Sequence, residues 1–271
     1  WSEGNLKKMH SVWFPSSLGL FYSAVTHSVG LKPMEDEYIL MGMAAYGDPN
    51  VYKKLSRKMG KDFFTHDYAW MSAMDSVRMN KNLQRGLPKD IYKDYDDFDI
   101  AAAAQDQVEK RILAYAEYAH EITESDNLVF MGGVALNCVA NSRMFEVGYS
   151  NIHIMPNPGD CGSSLGAAAL EYFNKTGSKV NWEGPYLGHK IEGPYPIKKA
   201  LKSLAKNELF GIANGRAEFG PRALGNRTLC ADPRGPDVKD RMNVIKKRQM
   251  FRPFAPMILE EHVHDYFDMP N

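Results

Sequence analysis

Two stretches in the middle of the chain repeat one pattern, and that pattern constrains the fold more than any other feature. NLVFMGGVALNCVANSRMF, residues 127–145, reads as a short apolar strand, a glycine pair and a helix. NIHIMPNPGDCGSSLGAAALEYF, residues 151–173, reads as a strand, a tight glycine turn and a helix of small residues. Consecutive strand–glycine loop–helix units predict an α/β layered domain with its functional site at the strand ends. Upstream, Ile100, Ala104, Val108, Ile112, Tyr115, Ala119 and Ile122 keep a helical spacing. They predict a long amphipathic helix from Phe98 to Thr123, packed on a sheet and capped by Asp97 or Asp99. An earlier helix is expected over residues 18–30, capped by Ser16 or Ser17 and ended by Gly30. DEYILMGMAAYGDP, residues 36–49, reads as a short helix and a turn, whereas 52–93 is polar and aromatic with no assignable element. The Gly- and Pro-rich stretch 176–196 reads as a domain boundary. A helix over 197–206 and a strand over 209–213 are expected beyond it.

Composition removes several function classes. The 271 residues are 44% hydrophobic and 24% charged, within the globular range, which excludes a disordered or fibrous chain. Thirty-three Lys and Arg balance thirty-three Asp and Glu, so no nucleic-acid partner is expected. No apolar run approaches the roughly 18 residues of a membrane span, so no membrane partner is expected either. Cys138, Cys161 and Cys230 form no CxxC pair. They suggest neither a disulfide framework nor a thiolate zinc site, and a reducing, cytoplasmic location is the natural reading. The chain starts at Trp1 and ends at Asn271 just after an apolar segment. This is expected of a piece of a longer protein, with part of the active site elsewhere.

The zero net charge hides an asymmetry. Between Gly211 and Arg252 there are ten basic and four acidic residues, a segment of +6 against −6 for the rest. A basic patch on an otherwise acidic protein points to a small anion, phosphate or nucleotide first, with a solvated basic face as the alternative.

Three places carry candidate chemistry. Gly132 and Gly133 lie between a predicted strand and helix, where backbone N–H groups can approach a nucleotide and a helix N-terminus faces it. A plain structural turn is the alternative. Asn137, one turn on, is either a ligand contact or a solvent-facing polar residue. Asp160 stands between Gly159 and Gly162 at a strand end. It is placed either to hold a metal or hydrogen-bond a ligand, or to cap the helix over 162–173. The third place is GRAEFGPRALGNRTLCADPR, residues 215–234, followed by IKKRQMFRPFAP, residues 245–256. Arg216, Arg222, Arg227 and Arg234 sit among glycines and prolines that suit an irregular, tightly turned backbone. Several guanidinium forks in one loop suggest an anion site, and a salt-bridge network with Glu218, Asp232 and Asp240 is the alternative. Lys246, Lys247, Arg248 and Arg252 come next along the chain.

These last two motifs resemble the C-terminal signature of the NodU/TobZ-type O-carbamoyltransferases, which make carbamate esters on nodulation factors, aminoglycosides and other antibiotics. FMGGVALNCVANSRM, PGDCGSSLGAAAL and SLGLFYSAVTHSVG with DEYILMGMAAYG are similar to the family's upstream motifs. Two departures stand out: Ile39 where the family commonly has lysine, and Ala45 where it often has proline. The resemblance implies an actin/hexokinase/heat-shock ATPase-like (ribonuclease H-like) domain over 1–178, a linker over 179–196 and part of a YrdC-like domain over 197–271. It implies ATP and carbamoyl phosphate as co-substrates, a carbamoyl-adenylate intermediate and a small-molecule hydroxyl acceptor. It also implies a divalent iron-type metal, held partly by a His-x-x-x-His motif upstream of Trp1 and partly by Asp160. Arg216, Arg222, Arg227, Arg248 and Arg252 are then expected at the phosphates and carbamoyl group. Gly132, Gly133, Asn137, Glu218, Gly220, Asn226 and Lys247 are expected at the cofactor. A kinase or ATPase of the same superfamily and a non-catalytic nucleotide-binding module are the rival readings.

Overall fold

The computed structural model describes residues 6–12, 17–64 and 92–268. Residues 65–91 of the unassigned stretch and Ser16, one of the expected caps, lie outside them. The fold is α/β, with helices in the majority and a few short strands. It divides into two compact units, residues 1–128 with 137–152, and residues 129–136 with 153–271. The segment 179–196 lies inside the second unit.

The first unit is helical. Helix α1 (Leu18–Ser28) carries Phe21 and Val25 into the core, and Gly30 comes just after it with φ +81°. Helix α2 (Glu37–Met43) runs into a 3-10 turn at Ala44–Tyr46. Helix α3 (Pro49–Phe63) starts at the end of the 36–49 stretch and runs into the segment from residue 52 that offered no assignable element. Its start has a local cause: Asp48 accepts the Asn50 N–H at 2.8 Å, and Pro49 opens the first turn, where its missing N–H costs nothing. Leu55, Met59 and Phe63 form its buried stripe.

Helix α4 (Asp97–Thr123) is the spine. Its cap is Asp96, which accepts the Phe98 N–H at 2.8 Å; Asp99 instead accepts the Asp48 N–H at 2.7 Å. The expected sheet beneath it is replaced by helices, since α1, α2 and α3 all pack on it. The sequence permits this because Ala101, Ala102, Ala103 and Ala104 leave no thick side of the helix. Gly47 comes so close to the Ala102 Cβ and the Phe98 carbonyl that no side chain fits there. Phe21 lies edge-on to Phe64 at 5.2 Å and tilted to Phe63 at 5.6 Å, closing the core.

A buried polar chain crosses this unit. Tyr22 donates to Gln105 Oε1 at 2.8 Å, and Gln105 and Asn137 exchange amide hydrogen bonds at 3.0 and 2.9 Å. Burial, then the nearby Glu109 and Glu37 and the Cys138 thiol, hold the Tyr22 phenol neutral, well above its usual range.

Strands β1 (Asn127–Val129) and β2 (Asn151–His153) pair in a two-stranded sheet. The helical segment after β1 is shorter than expected: a 3-10 turn over Gly133–Leu136 and the single turn α5 (Cys138–Asn141). No long helix therefore starts at the glycine pair, because Asn137 interrupts it by capping α5, accepting the Ala140 N–H at 3.1 Å.

In the second unit, α6 (Asp160–Thr176) precedes β3 (Lys190–Ile191), α7 (Ile197–Ala205), β4 (Phe210–Ala213), β5 (Gly215–Arg216), β6 (Arg227–Cys230), α8 (Val238–Ile245) and α9 (Val263–Tyr266). Strand β3 pairs antiparallel with β5, Lys190 opposite Arg216. Strand β4 pairs antiparallel with β6, Phe210 opposite Cys230 and Ala213 opposite Arg227. The arginine-rich run thus begins on one short sheet and ends on another, with an irregular loop between.

Candidate functional site

Three loops of the second unit meet through their glycines. Gly132, with φ +99°, donates its N–H to the Pro158 carbonyl at 2.8 Å. A Cβ on Gly159 would lie 3.8 Å from Gly133 Cα, so these two backbones are in van der Waals contact. Gly220 has φ +119°, and a Cβ there would lie 2.5 Å from the Pro156 carbonyl oxygen. Gly162 has the Asn157 carbonyl where a Cβ would sit, so the turn into α6 admits no side chain. Gly133 faces open space. Residues 130–133, 156–162 and the arginine loop are therefore brought together, as backbone against backbone.

Within the arginine loop the side chains fall into two groups. Arg216 and Arg222 are exposed and have no side-chain partner among the described residues. Arg227 is engaged through its two terminal nitrogens, which donate to the carbonyls of Asn214 at 3.0 Å, Asn226 at 2.8 Å, His189 at 2.9 Å and Gly215 at 3.3 Å. Glu218 Oε1 accepts the N–H groups of Leu224 and Asn226 at 2.8 Å each and of Arg227 at 3.1 Å. Burial works to raise the Glu218 pKa, but those backbone donors prevail and hold it below the usual carboxylate value. Asn226 spends its side-chain N–H on the Arg216 carbonyl at 2.8 Å. Glu218, Asn226 and Arg227, expected at a ligand, are thus tied into the loop itself.

The alternative of a salt-bridge network has one member here. Asp232 pairs with Arg234 two residues on, and the hydrogen bonds from that side chain and its backbone N–H hold the Asp232 carboxyl down at about 2. Arg216 and Arg222 are in no ion pair among the described residues.

The second cationic run is organised around a fully buried asparagine. Asn243 donates to the carbonyls of Met250 and Arg252 at 3.0 Å each and accepts from Arg248 Nε at 2.7 Å. Arg248 also reaches the Pro253 carbonyl at 3.2 Å and stacks on Phe254 at 4.3 Å. Lys247 is exposed and holds a left-handed φ of +49°. No sequence rule singles out Asn243, whose amide shapes the turn through contacts seven and nine residues away.

Two expected residues are placed elsewhere or act differently. Asn137 belongs to the first unit, where it is buried and bonded to Gln105, not solvent-facing. Asp160 is the first residue of α6, and Gly159 is its cap, so Asp160 is no cap. Its exposed carboxylate has no partner among the described residues and carries the sign favoured at a helix start. Among the described residues no group of three His, Cys, Asp or Glu is arranged to hold a metal ion. Asp160 alone does not complete a site for the implied iron-type metal, which needs several ligands.

The sequence has relatives. Residues 1–169 match the family model for the carbamoyltransferase N-terminus and residues 201–271 that for the carbamoyltransferase C-terminus. The chain belongs to the carbamoyltransferase family. It is 35% identical to an uncharacterised protein of Synechocystis over 99% of this chain and 50% of that one. It is 33% identical to nodulation protein NolO of Bradyrhizobium diazoefficiens, over 96% of this chain and 52% of the relative. Nodulation protein NolNO of Sinorhizobium fredii is 34% identical over 95% of this chain and 42% of its own length. This carbamoyltransferase-family chain therefore spans about half the length of the relatives it matches. Among the described residues no helix is long and apolar enough to cross a membrane.

Proposed function

We propose that the chain is part of an O-carbamoyltransferase that activates a carbamoyl group as an adenylate and passes it to a hydroxyl of a small-molecule acceptor. The observation that carries this reading is the pair of exposed guanidinium groups, Arg216 and Arg222, which have no partner among the described residues, beside Glu218 and Arg227, whose side chains are bonded to the backbone. Two positive charges with no counter-ion among the described residues suit a phosphate-bearing substrate.

The electrophile dictates the chemistry. Nitrogen donates into a carbamoyl carbonyl and makes it unreactive, so the group needs a better leaving group than hydroxide. Loss of phosphate from carbamoyl phosphate to water frees a carbamate oxygen. That oxygen attacks the α-phosphorus of ATP, and pyrophosphate leaves. The acceptor hydroxyl then attacks the carbamoyl carbon, loses its proton, and AMP departs. Arg216 and Arg222 are the groups proposed to neutralise phosphate charge as the P–O bonds exchange. Arg248 and Arg252 are proposed to do the same from the turn after α8, with Lys247 beside them. The glycine loop at 132–133 is proposed to face the adenylate, and Asp160 remains one proposed metal ligand. Within this reading, 1–178 corresponds to a ribonuclease H-like domain, 179–196 to a linker and 197–271 to part of a YrdC-like domain.

Labelled pyrophosphate tests the activation half. In the presence of carbamoyl phosphate the protein should incorporate label into ATP, and Arg222→Ala should abolish incorporation. Formation of ADP in place of AMP, with no exchange, would establish an ATPase or kinase instead.

A further inference from the structure

We propose that Glu218 is a positioning residue whose carboxylate pins the base of the arginine loop, so that Arg216 and Arg222 are held ready for an anion that Glu218 itself does not touch. This rests on the reading of Arg216 and Arg222 as the anion-binding pair.

The geometry is specific. One oxygen of Glu218 takes N–H groups from Leu224, Asn226 and Arg227, at separations of six, eight and nine residues. The segment 219–226 is thereby closed into a loop with Arg222 inside it. Several backbone N–H groups converging on one point form a concavity that attracts an anion. Here the chain's own carboxylate fills it. Arg227 does the complementary work, gathering the carbonyls of His189, Asn214, Gly215 and Asn226. Asn226 then fixes the Arg216 backbone through its carbonyl. Donors are collected by Glu218 and acceptors by Arg227, which leaves Arg216 and Arg222, without a side-chain partner among the described residues, as the groups the loop displays.

Electrostatics separates this role from the others a carboxylate can have. A negative charge four residues from Arg222 opposes anion binding by Coulomb's law. If Glu218 were a bystander, removing its charge would tighten anion binding. If it positions the loop, removing it weakens binding, because the guanidinium groups lose their fixed geometry. The two roles predict opposite signs.

The test is calorimetric titration of the chain with pyrophosphate, for wild type and the variants Glu218→Ala, Glu218→Gln and Arg222→Ala, with circular dichroism to verify folding. Expected are binding by wild type, loss in Arg222→Ala, at least tenfold weaker binding in Glu218→Ala, and partial recovery in Glu218→Gln, which keeps the acceptor oxygen without the charge. No binding by wild type, or unchanged binding by Arg222→Ala, overturns the anion-site reading and this role with it. Wild-type binding that is lost in Arg222→Ala but equal or tighter in Glu218→Ala overturns the positioning role alone. Should Glu218→Ala fail to fold, Glu218→Gln decides. Weaker binding with faster hydrogen exchange at the amides of Leu224, Asn226 and Arg227 supports the role, and wild-type values of both overturn it.

Discussion

Gly220 lies against the Pro156 carbonyl so closely that a Cβ would stand 2.5 Å from the oxygen, and its φ of +119° is one that side chains avoid. The arginine loop is therefore seated on the loop that leads to Asp160 by a contact only glycine permits. Gly220→Ala meets both penalties, backbone strain and a clash with a rigid proline segment. It should destabilise the chain by about 1–3 kcal/mol, seen as a lower melting temperature, and weaken pyrophosphate binding. A variant that melts and binds like wild type would show that the two loops are not seated on each other.

Asn137 offers a separate test, because its amide is already spent inside the first unit. Asn137→Ala removes the partner of the buried Gln105 amide and the cap of α5. Leaving a buried amide short of partners costs about 1–3 kcal/mol. A lowered denaturation midpoint with unchanged dependence on denaturant is expected. A midpoint equal to wild type would mean that water replaces the lost hydrogen bonds.

Much of the scaffold was legible because its signals are local. The period of Ile100, Val108 and Ile112 marks α4 to within a residue, since burying one stripe is enough to define a helix. The expected sheet under α4 failed for a reason that is also visible afterwards: four consecutive alanines let helices approach from several sides. Helix α3 was legible in principle from Asp48-Pro49, a cap and then a first-turn proline, but its aromatic and basic composition masked the period. The irregular backbone of the arginine run was legible from its glycines. The division of labour within that run was not. Arg216, Arg222 and Arg227 are chemically identical, and only the fold determines that four carbonyls converge on the third of them. Nor does any spacing rule show a glutamate accepting N–H groups six to nine residues away.

Acidification should expose the two carboxylates of this segment. Glu218 and Asp232 both titrate below their usual values of 4.5 and 3.8, Asp232 at about 2. A carboxyl whose pKa is lower folded than unfolded stabilises the fold above its unfolded pKa. That contribution disappears as pH falls through the folded value. Melting temperature should therefore decline from about pH 4.5 toward pH 2, and Glu218→Gln and Asp232→Asn should each flatten the decline. Equal slopes in wild type and both variants would mean that neither carboxylate is held by the contacts described.

Two arginines of one loop should respond to the same substitution in opposite ways. Arg227 donates to four carbonyls, and a lysine cannot span them, since its single ammonium lacks the planar fork. Arg227→Lys strands part of that acceptor set and should cost about 1–3 kcal/mol of stability. Arg222 touches no described partner, so Arg222→Lys removes nothing from the folded state and should melt like wild type. It keeps the charge and loses the two-pronged contact, so its affinity for pyrophosphate should fall by roughly three- to tenfold. Thermal melts and calorimetry on both variants separate the two effects. If Arg222→Lys lowers the melting temperature without changing affinity, Arg222 is part of the scaffold. If Arg227→Lys is fully stable yet binds no anion, the ligand reaches Arg227, and the carbonyl contacts give way to it.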